Sequence, residues 1–438
     1  MSKQSRKLKK INIIILPNTG IFENFLPLII KLKQKYQDVS FLATFPHRSS
    51  DSKKDFTYQF KENHFLLKQL KTYIDEFVFT DGGKNALTFK DFSGLEAFNN
   101  IACWLRRKDQ QNLIIRIMNK LNLKNFLNTL LLQLAIFLNK KNKVVQNKIF
   151  SKIDFFVMDM NYFHDKECPL KSINVGQKIV SIVHGIDLYN EIENKPPKIY
   201  TPEFLHLSIG PLDADSYSNK FELPKKNIIK SGILKHEKFF LDFVDNDEIN
   251  NEKLPKNFIL VLSRMCDLYL PPERKYKNLQ SIKKFADSKN LKVVFKLHPK
   301  EVNEGLIERV FDKKDFRKSW YVSHKHPFFL ANKSLMAITF RSGLSISMIK
   351  LRVPCVEMLD LRGMDNLPFV SKDNTGDPVY NYRSKGLVSG AYSSEDLKIN
   401  MNNFLKNKKK SFLSLERNYE KYFYNSKKGL SKSLEIFD

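Results

Sequence analysis

The chain has 438 residues, 42% of them hydrophobic and 12% aromatic, which is enough apolar material for a buried core and more length than one domain usually has. Its formal net charge of +27 would attract polyanions: nucleic acid, anionic lipid or phosphorylated substrates. Cys103, Cys168, Cys266 and Cys355 lie far apart without C-x-x-C spacing, which excludes a disulfide framework and a zinc site and favours a reducing cytosol.

The charge does not identify a partner by itself. Lysine is scattered through nearly every segment, together with many Asn and Ile residues. A binding patch and a general compositional bias therefore both remain open as explanations.

The N-terminal segment carries a basic stretch and then a short apolar run that lacks a small-residue cleavage site and leads into a turn at Gly20. It predicts a first strand over residues 10–17. Apolar positions at helical spacing predict a helix over residues 22–36, followed by a strand at residues 39–45. This order indicates a parallel α/β sheet with ligand loops at the carboxyl ends of its strands.

More strands of the same kind are predicted before residue 238, so we expect one Rossmann-like domain over residues 1–238. These strands are at residues 153–158, 178–183, 204–209 and 227–231.

Residues 112–143 form an apolar segment with basic residues at both ends. It predicts helix, but Asn128, Thr129 and Gln133 interrupt it, and it is too short to span a bilayer. A basic amphipathic helix can lie on an anionic membrane surface. A helix inside the core is the favoured alternative.

Residues 239–256 are acidic and polar, contain few apolar positions and end near a Pro, which predicts an interdomain linker. The α/β rhythm then restarts and predicts a second Rossmann-like domain over residues 257–393. A polar, helical tail over residues 394–438 could pack on either domain. The predicted strands are at residues 258–262, 291–297, 335–340 and 355–358, with helices at residues 279–288 and 345–351.

His184 follows a predicted buried strand, and Gly185 beside it allows close backbone approach. An imidazole at this position could act as a general base, because its pKa lies nearest neutrality. A capping or core histidine in a strand-end turn is the equally open alternative.

Lys296 and His298 emerge together at a strand end in the second domain, and both suit phosphate oxygens. Lys296 could equally be a solvated charge. His326 and Pro327 form a second His-Pro pair in a polar loop, which we interpret as mainly structural.

Ser342, Gly343 and Ser345 surround the start of a predicted helix, where unpaired N–H groups, the helix dipole and hydroxyls suit an anionic phosphate. Ordinary N-capping by serine is the alternative. Arg264, directly after a strand, is expected on the same surface and could pair with a phosphate or a carboxylate.

The motifs of P-loop NTPases, α/β hydrolases, zinc proteases and dinucleotide oxidoreductases are absent. Asp159, at a strand end within MDMN, does not form a D-x-D metal motif. We therefore expect a metal-independent protein without a cofactor.

These segments, in this order, resemble the bacterial capsule and teichoic-acid transferases of GT-B architecture, including CDP-glycerol glycerophosphotransferases and capsular Kdo or sialic acid transferases. His184-Gly185 resembles the His-Gly pair at a strand end of these enzymes. The segment from Lys296 to Pro299 resembles their His-Pro motif, and residues 339–354 resemble their Ser-rich turn and the helix after it. The resemblance covers residues 178–358. In two places the sequence departs from that pattern: Ile186 to Tyr189 replace a Thr-Pro-Leu-like run, and Ser347 and Met348 replace an acidic residue.

The resemblance implies two Rossmann-like domains facing across a cleft, with a CMP- or CDP-linked donor held in the second domain by Lys296, His298 and the turn from Ser342 to Ser345. A growing surface glycan, free or lipid-linked, would be the acceptor. His184, or else Asp187 or Asp159, would deprotonate the acceptor hydroxyl in one inverting displacement. Domain closure about residues 239–256 would align the substrates.

Two other functions stay open. Transfer of a polyol phosphate from a CDP-polyol would place the attack on phosphorus. A basic nucleic-acid-binding protein could use the charge without catalysis, although the sequence lacks the interleaved aromatic and basic motifs of a known module, so no nucleic acid is expected. The expected location is cytoplasmic, with peripheral contact to the inner face of an anionic membrane as one option.

Overall fold

The fold is given by a computed structural model of the chain. It describes residues 9–15, 19–46, 56–80, 85–98, 143–159, 177–186, 204–247, 253–299, 301 and 305–438.

The first half of the chain builds a mostly parallel sheet around buried, β-branched and aromatic runs. Its order within the described residues is β5-β4-β3-β2-β1-β6-β7-β8-β9. Pairs β3–β4 and β4–β5 are antiparallel, and the other neighbouring strands are parallel. The strands are β1 Lys10–Ile14, β2 Ser40–Pro46, β3 Glu76–Thr80, β4 Asn85–Phe89, β5 Lys143–Val145, β6 Phe155–Met158, β7 Lys178–Ile182, β8 Phe204–Ser208 and β9 Ile228–Lys230.

Helices cover this sheet, and the longest of them buries most of its apolar side chains. The helices are α1 Gly20–Lys35, α2 Phe56–Lys61, α3 His64–Tyr73, α4 Gln146–Phe150, α5 Pro211–Lys220 and α6 Lys238–Asp245. Parallel strands joined through helices make this half Rossmann-like, as predicted.

The second sheet is parallel throughout, with the order β12-β11-β10-β13-β14-β17 in the described residues, and a separate antiparallel hairpin pairs β15 with β16. Its strands are β10 Phe258–Leu262, β11 Lys292–Lys296, β12 Trp320–Val322, β13 Met336–Thr339, β14 Cys355–Met358, β15 Val370–Lys372, β16 Pro378–Tyr380 and β17 Ser389–Ala391. The helices are α7 Pro272–Ser288, α8 Leu306–Val310, α9 Pro327–Lys333, α10 Leu344–Leu351 and α11 Asn381–Ser384. The prediction of two Rossmann-like domains is confirmed.

The segment expected as a linker, residues 239–256, begins inside α6. Phe240 and Val244, one turn apart, are fully buried there, and α6 packs against α9 of the second domain. Asp242 and Asp245 in the same helix make this apolar face hard to recognise in the sequence. The domain boundaries themselves stay a prediction.

The C-terminal tail, residues 394–438, contacts both domains through three helices: α12 Ser394–Lys406, α13 Lys408–Tyr422 and α14 Ser426–Glu435. The first packs on α7, the second on α10, and the third on α1 and β9. A Cβ added to Gly429 would lie 1.8 Å from the Ser231 carbonyl oxygen, so only glycine permits α14 to approach β9 this closely. The tail therefore ties the second domain to the first.

None of the helices in the described ranges is long and apolar enough to cross a membrane. The helix expected at residues 112–143 lies, up to residue 142, outside the described residues.

Candidate active site

His184 and Asp159 form a hydrogen-bonded pair at the carboxyl edge of the first sheet. Strands β6 and β7 are parallel neighbours, with Met158 opposite Ser181, so the residues that follow them emerge side by side. The Asp159 Oδ2 atom accepts the His184 backbone N–H at 3.0 Å and lies 2.5 Å from the His184 Nδ1 atom. The Asp159 side chain is fully buried, whereas 22% of the His184 side chain is exposed.

This geometry selects one tautomer of His184. Since a carboxylate only accepts hydrogen bonds, Nδ1 carries the proton and Nε2 carries the lone pair. The two residues that the sequence offered as competing bases thus lie one behind the other, with the imidazole on the exposed side. Asp187, the third candidate base, lies outside the described residues.

The loop that carries His184 touches both domains. On its own side, the Asn24 Nδ2 atom of α1 donates to the Val183 carbonyl at 2.6 Å. Across the cleft, the Tyr382 hydroxyl donates to the Ile186 carbonyl. A Cβ added to Gly343 would lie 3.2 Å from the Ile186 Cβ atom and 3.4 Å from its nitrogen. The start of α10 therefore faces the His184 loop directly, which brings together two segments that sequence analysis singled out separately.

The turn before α10 is ordered by its own serines. Ser342 Oγ accepts the Leu344 N–H at 3.3 Å, and the Ser342 carbonyl accepts both the N–H and the hydroxyl of Ser345, at 3.0 and 2.8 Å. Ser345 is fully buried. Its hydroxyl stabilises the turn, and Gly343 is the residue of this turn that directly faces the first domain.

Lys296 connects the two domains. Its ammonium group, although only 7% of the residue is exposed, donates to the Glu62 carbonyl between α2 and α3. The sequence predicted a phosphate-facing or a solvated lysine at this strand end, and the structure adds a contact with the opposite wall of the cleft.

His298 lies on a turn that a buried carboxylate braces. Glu301 Oε2 accepts the His298 backbone N–H at 3.2 Å. Its other oxygen accepts from Ser263 Oγ at 2.9 Å and from the Lys275 ammonium at 2.7 Å. The side chains of Lys275 and Glu301 are 1% and 5% exposed, so this buried ion pair joins α7 to the segment after β11, and the Ser263 bond joins the ends of β10 and β11.

Arg264 belongs to a cluster with Asp267 and Arg341. Arg264 Nε and Arg341 Nη2 donate to Asp267 Oδ2 at 3.1 and 3.0 Å, and Arg264 Nη1 donates to the Arg341 carbonyl at 2.9 Å. The guanidinium carbon of Arg341 lies 3.8 Å from the centre of the Tyr269 ring. Two guanidinium groups share one carboxylate, which leaves a net positive charge beside the Ser342 turn.

Sequence analysis missed Arg341, Tyr382 and Asp267 as parts of this region. Arg341 directly follows the strand predicted over residues 335–340, so the strand-end rule that selected Ser342 applied to it as well. No local pattern marked Tyr382 or Asp267, whose roles depend on contacts with other segments.

His326, interpreted as a loop residue, instead caps α9 and is fully buried. Its Nδ1 atom accepts the Phe328 N–H at 3.2 Å, and its Nε2 atom lies 3.5 Å from Glu23 Oε1 of the first domain. Lys235 donates to the same Glu23 oxygen at 3.1 Å. Burial alone would raise the pKa of Glu23, but Lys235 and His326 outweigh it and lower this pKa to about 2. A buried ion pair inside the first domain is thus in contact with His326 of the second domain.

No group of three or more His, Cys, Asp or Glu residues in the described ranges is arranged to hold a metal ion. The expected independence of metals and cofactors stays a prediction.

Known structures share this architecture across nearly the whole chain. A UDP-GlcNAc 2-epimerase from Methanocaldococcus jannaschii, solved with UDP-GlcNAc and UDP, is 14% identical with a TM-score of 0.52, and the match covers 98% of this chain and 99% of that one. The wall teichoic acid polymerase TagF, in a variant soaked with CDPG, is 10% identical with a TM-score of 0.52, over 98% and 88% of the two chains. A Listeria monocytogenes protein assigned as a UDP-N-acetylglucosamine 2-epimerase is 10% identical with a TM-score of 0.53, over 98% and 95%.

At the level of sequence, no protein-family profile and no curated protein matches the chain. The structural likeness establishes the fold: two Rossmann-like domains facing each other across a cleft, the GT-B arrangement.

Proposed function

We propose that this protein is a GT-B transferase that moves a sugar from a nucleotide-activated donor to a hydroxyl group of a growing surface glycan. The observation that carries this proposal is the His184–Asp159 pair at the base of a loop whose Ile186 contacts Gly343 at the start of α10. A base and an anion-binding helix terminus on facing walls are what a transfer from a phosphate leaving group requires.

In this mechanism His184 Nε2 removes the proton of the acceptor hydroxyl as its oxygen attacks the anomeric carbon of the donor. The bond between that carbon and the phosphate oxygen breaks, and the nucleotide leaves with the electron pair. Asp159 stabilises the imidazolium that forms and keeps the ring oriented. A single displacement of this kind inverts the anomeric centre.

The leaving phosphate would meet the turn of Ser342 and Gly343 that precedes α10, where the dipole of the helix favours negative charge. Arg264 and His298 lie on neighbouring strand ends of the same domain, and Lys296 completes this basic side of the cleft. Fixed donors placed where negative charge develops favour departure of the nucleotide without a metal ion. We propose a CMP- or CDP-linked donor.

A second candidate is transfer of a polyol phosphate from a CDP-polyol. The fold shared with the wall teichoic acid polymerase, whose variant was soaked with CDP-glycerol, favours it. The same base would then activate the acceptor for attack on phosphorus, and CMP would leave from either a CMP-sugar or a CDP-polyol.

The two candidates differ in the phosphorus content of the product. The purified protein should be incubated with a glycan acceptor and, in turn, a CMP-linked acidic sugar, CDP-glycerol and UDP-GlcNAc, and the released nucleotide and the product mass measured. CMP release with a phosphorus-free product supports sugar transfer, whereas a product gaining glycerol phosphate supports the second candidate. Absence of nucleotide release with every donor, by a folded protein, would overturn both.

A further inference from the structure

The second domain has an edge that faces away from the cleft. Lys296 is the last residue of β11, Ser342 lies shortly after β13, and both lie at the cleft, so the carboxyl ends of these parallel strands face the first domain. Segments that lead into the strands therefore lie at the opposite edge of the sheet, which we call the distal edge.

The connection before β12 is one exposed part of the distal edge. Residues 312–318 are all exposed and combine Lys313, Lys314, Arg317 and Lys318 with Asp312 and Asp315, which leaves a net positive charge. Among them Phe316 keeps 39% of its surface exposed, with its ring centre 4.8 Å from that of Trp320. A partly exposed aromatic ring, packed on Trp320 and 5.6 Å from the guanidinium carbon of Arg317, thus lies within this segment.

The corner between α12 and α13 is a second exposed part of the distal edge. Helix α12 begins just after the carboxyl end of β17 and runs back along the sheet, so it ends at the distal edge. Residues 405–410 are all exposed and include Lys406 and Lys408 to Lys410. Leu405 and Leu413 are 66% and 44% exposed. Residues 397–415 contain five lysines and no acidic residue.

Helices α12 and α8 both pack against α7, so the two parts belong to one helix layer over the sheet. Leu335, which is 41% exposed, leads into β13 at the same edge. Of the six large hydrophobic residues exposed in the described part of the chain, four therefore lie at or near the distal edge, and all four are near exposed lysines or arginines.

We propose that the distal edge of the second domain docks on an anionic membrane surface. Lysines near such a surface are attracted to acidic headgroups, while projecting leucine and phenylalanine side chains enter the boundary between headgroups and acyl chains. Nucleic acid could bind the lysines, but exposed leucines would not strengthen that binding. Residues 405–410 also contain no aromatic side chain on which a base could stack. Docking at this edge leaves the cleft open to solvent. The inference is independent of the reaction proposed above.

Vesicle flotation tests this surface with the full-length protein. Vesicles of phosphatidylcholine alone and of phosphatidylcholine with phosphatidylserine would be compared. One variant replaces the corner lysines together, Lys406→Gln, Lys408→Gln, Lys409→Gln and Lys410→Gln. The matched control removes the same charge from exposed first-domain positions, Lys152→Gln, Lys225→Gln, Lys226→Gln and Lys238→Gln. A third variant is Leu405→Ser with Leu413→Ser.

We expect the unmodified protein to float only with acidic vesicles, the corner variant to bind at least about tenfold more weakly, and the matched control to stay within about twofold. The leucine variant should lose binding mainly at high salt, where the apolar contribution dominates. Equal losses in the corner variant and the matched control would overturn the proposal, because binding would then follow net charge alone. Absence of vesicle binding by the unmodified protein would also overturn it. The same holds if the protein binds generic DNA or RNA more tightly than vesicles, and if the corner variant loses this binding while the leucine variant keeps it.

Discussion

Asp159 accepts two hydrogen bonds from His184, one from the backbone N–H at 3.0 Å and one from the ring Nδ1 at 2.5 Å. One buried carboxylate therefore fixes both the path of the loop and the direction of the imidazole. The ring is held so that Nε2 is its basic nitrogen. Of the two side chains, His184 is the one that is partly exposed to solvent.

This relationship predicts that Asp159→Asn abolishes most of the transfer activity. The asparagine oxygen can still accept the backbone N–H, but its NH2 group would donate to Nδ1 and move the imidazole proton to Nε2. We expect kcat to fall about 10²–10⁴-fold in Asp159→Asn and by a similar factor in His184→Ala. The KM for the donor should change little in both variants. Steady-state nucleotide release measures this.

Asp154→Asn is the matched control, because Asp154 begins the approach to the same strand and accepts the Lys10 N–H at 2.8 Å, far from the cleft. Its activity should stay near that of the unmodified protein. Near-normal rates in both His184→Ala and Asp159→Asn, with folding verified by thermal unfolding, would contradict the assigned base.

The contact between Gly343 and Ile186 predicts that a side chain at position 343 wedges the cleft open. An added Cβ lies 3.2 Å from the Ile186 Cβ atom, and valine adds two more carbons. Because small displacements of reacting groups have large effects on rate, Gly343→Val should lower kcat/KM about 10²-fold. Ile186→Ala in the same chain should restore part of the activity. If the double variant is no better than Gly343→Val, steric contact across the cleft is not the cause.

The buried ion pair between Lys235 and Glu23 of the first domain predicts that the stability of the protein depends on pH. The pKa of Glu23 is lowered from 4.5 to about 2, so the carboxylate contributes stability above pH 4.5 that is lost as the pH falls towards 2. A difference of this size corresponds to about 3 kcal/mol. Lys235→Met should therefore destabilise the protein strongly at pH 7, because Glu23 would stay buried and charged.

Urea unfolding at pH 7 and pH 4 measures that effect. The double variant Glu23→Gln with Lys235→Met should be more stable at pH 7 than Lys235→Met alone, because it removes the uncompensated charge. Equal stability of the two variants would show that the pair contributes nothing.

For the buried Glu357 we expect the opposite dependence of protein stability on pH. Burial raises the pKa of this carboxyl group from 4.5 to about 7, although Arg383 and Arg341 act against the rise. Since the folded state holds the proton more tightly than the unfolded chain, stability is highest below pH 4.5 for this group and falls as the pH rises through 7. Above pH 7 the loss amounts to about 3 kcal/mol.

Glu357→Gln should therefore raise the free energy of unfolding at pH 8 and change it little at pH 4. Urea unfolding of both proteins across this range gives the result. A constant difference between them at all pH values would contradict the raised pKa.

Much of the fold was predictable because buried strands have continuous apolar runs. The bounds predicted for β10 and β14 match those observed, since Phe258–Leu262 and Cys355–Met358 are buried throughout. Helix α7 instead begins at Pro272, before the predicted residue 279. Its first turns are charged, and Lys275 is buried only because Glu301 neutralises it. A sequence pattern cannot distinguish such a lysine from a solvated one.

The same limit applies to the hidden helix α6 and to the cap at His326. Both are buried because the other domain covers them: α6 packs on α9, and His326 lies beside Glu23. Hydropathy and spacing describe a segment by itself, so burial supplied by a distant segment leaves little trace in them.

The sequence alone determined that two α/β units with largely parallel sheets form and that His184 and Ser342 lie at strand ends, because these follow from local apolar periodicity and from the geometry of parallel strands. Only the tertiary structure decided how the strand ends combine. It placed Asp159 behind His184, Gly343 against Ile186 and Lys296 on the Glu62 carbonyl. These are short contacts between residues far apart in the chain, and they form because packing of the two domains brings separate loops together.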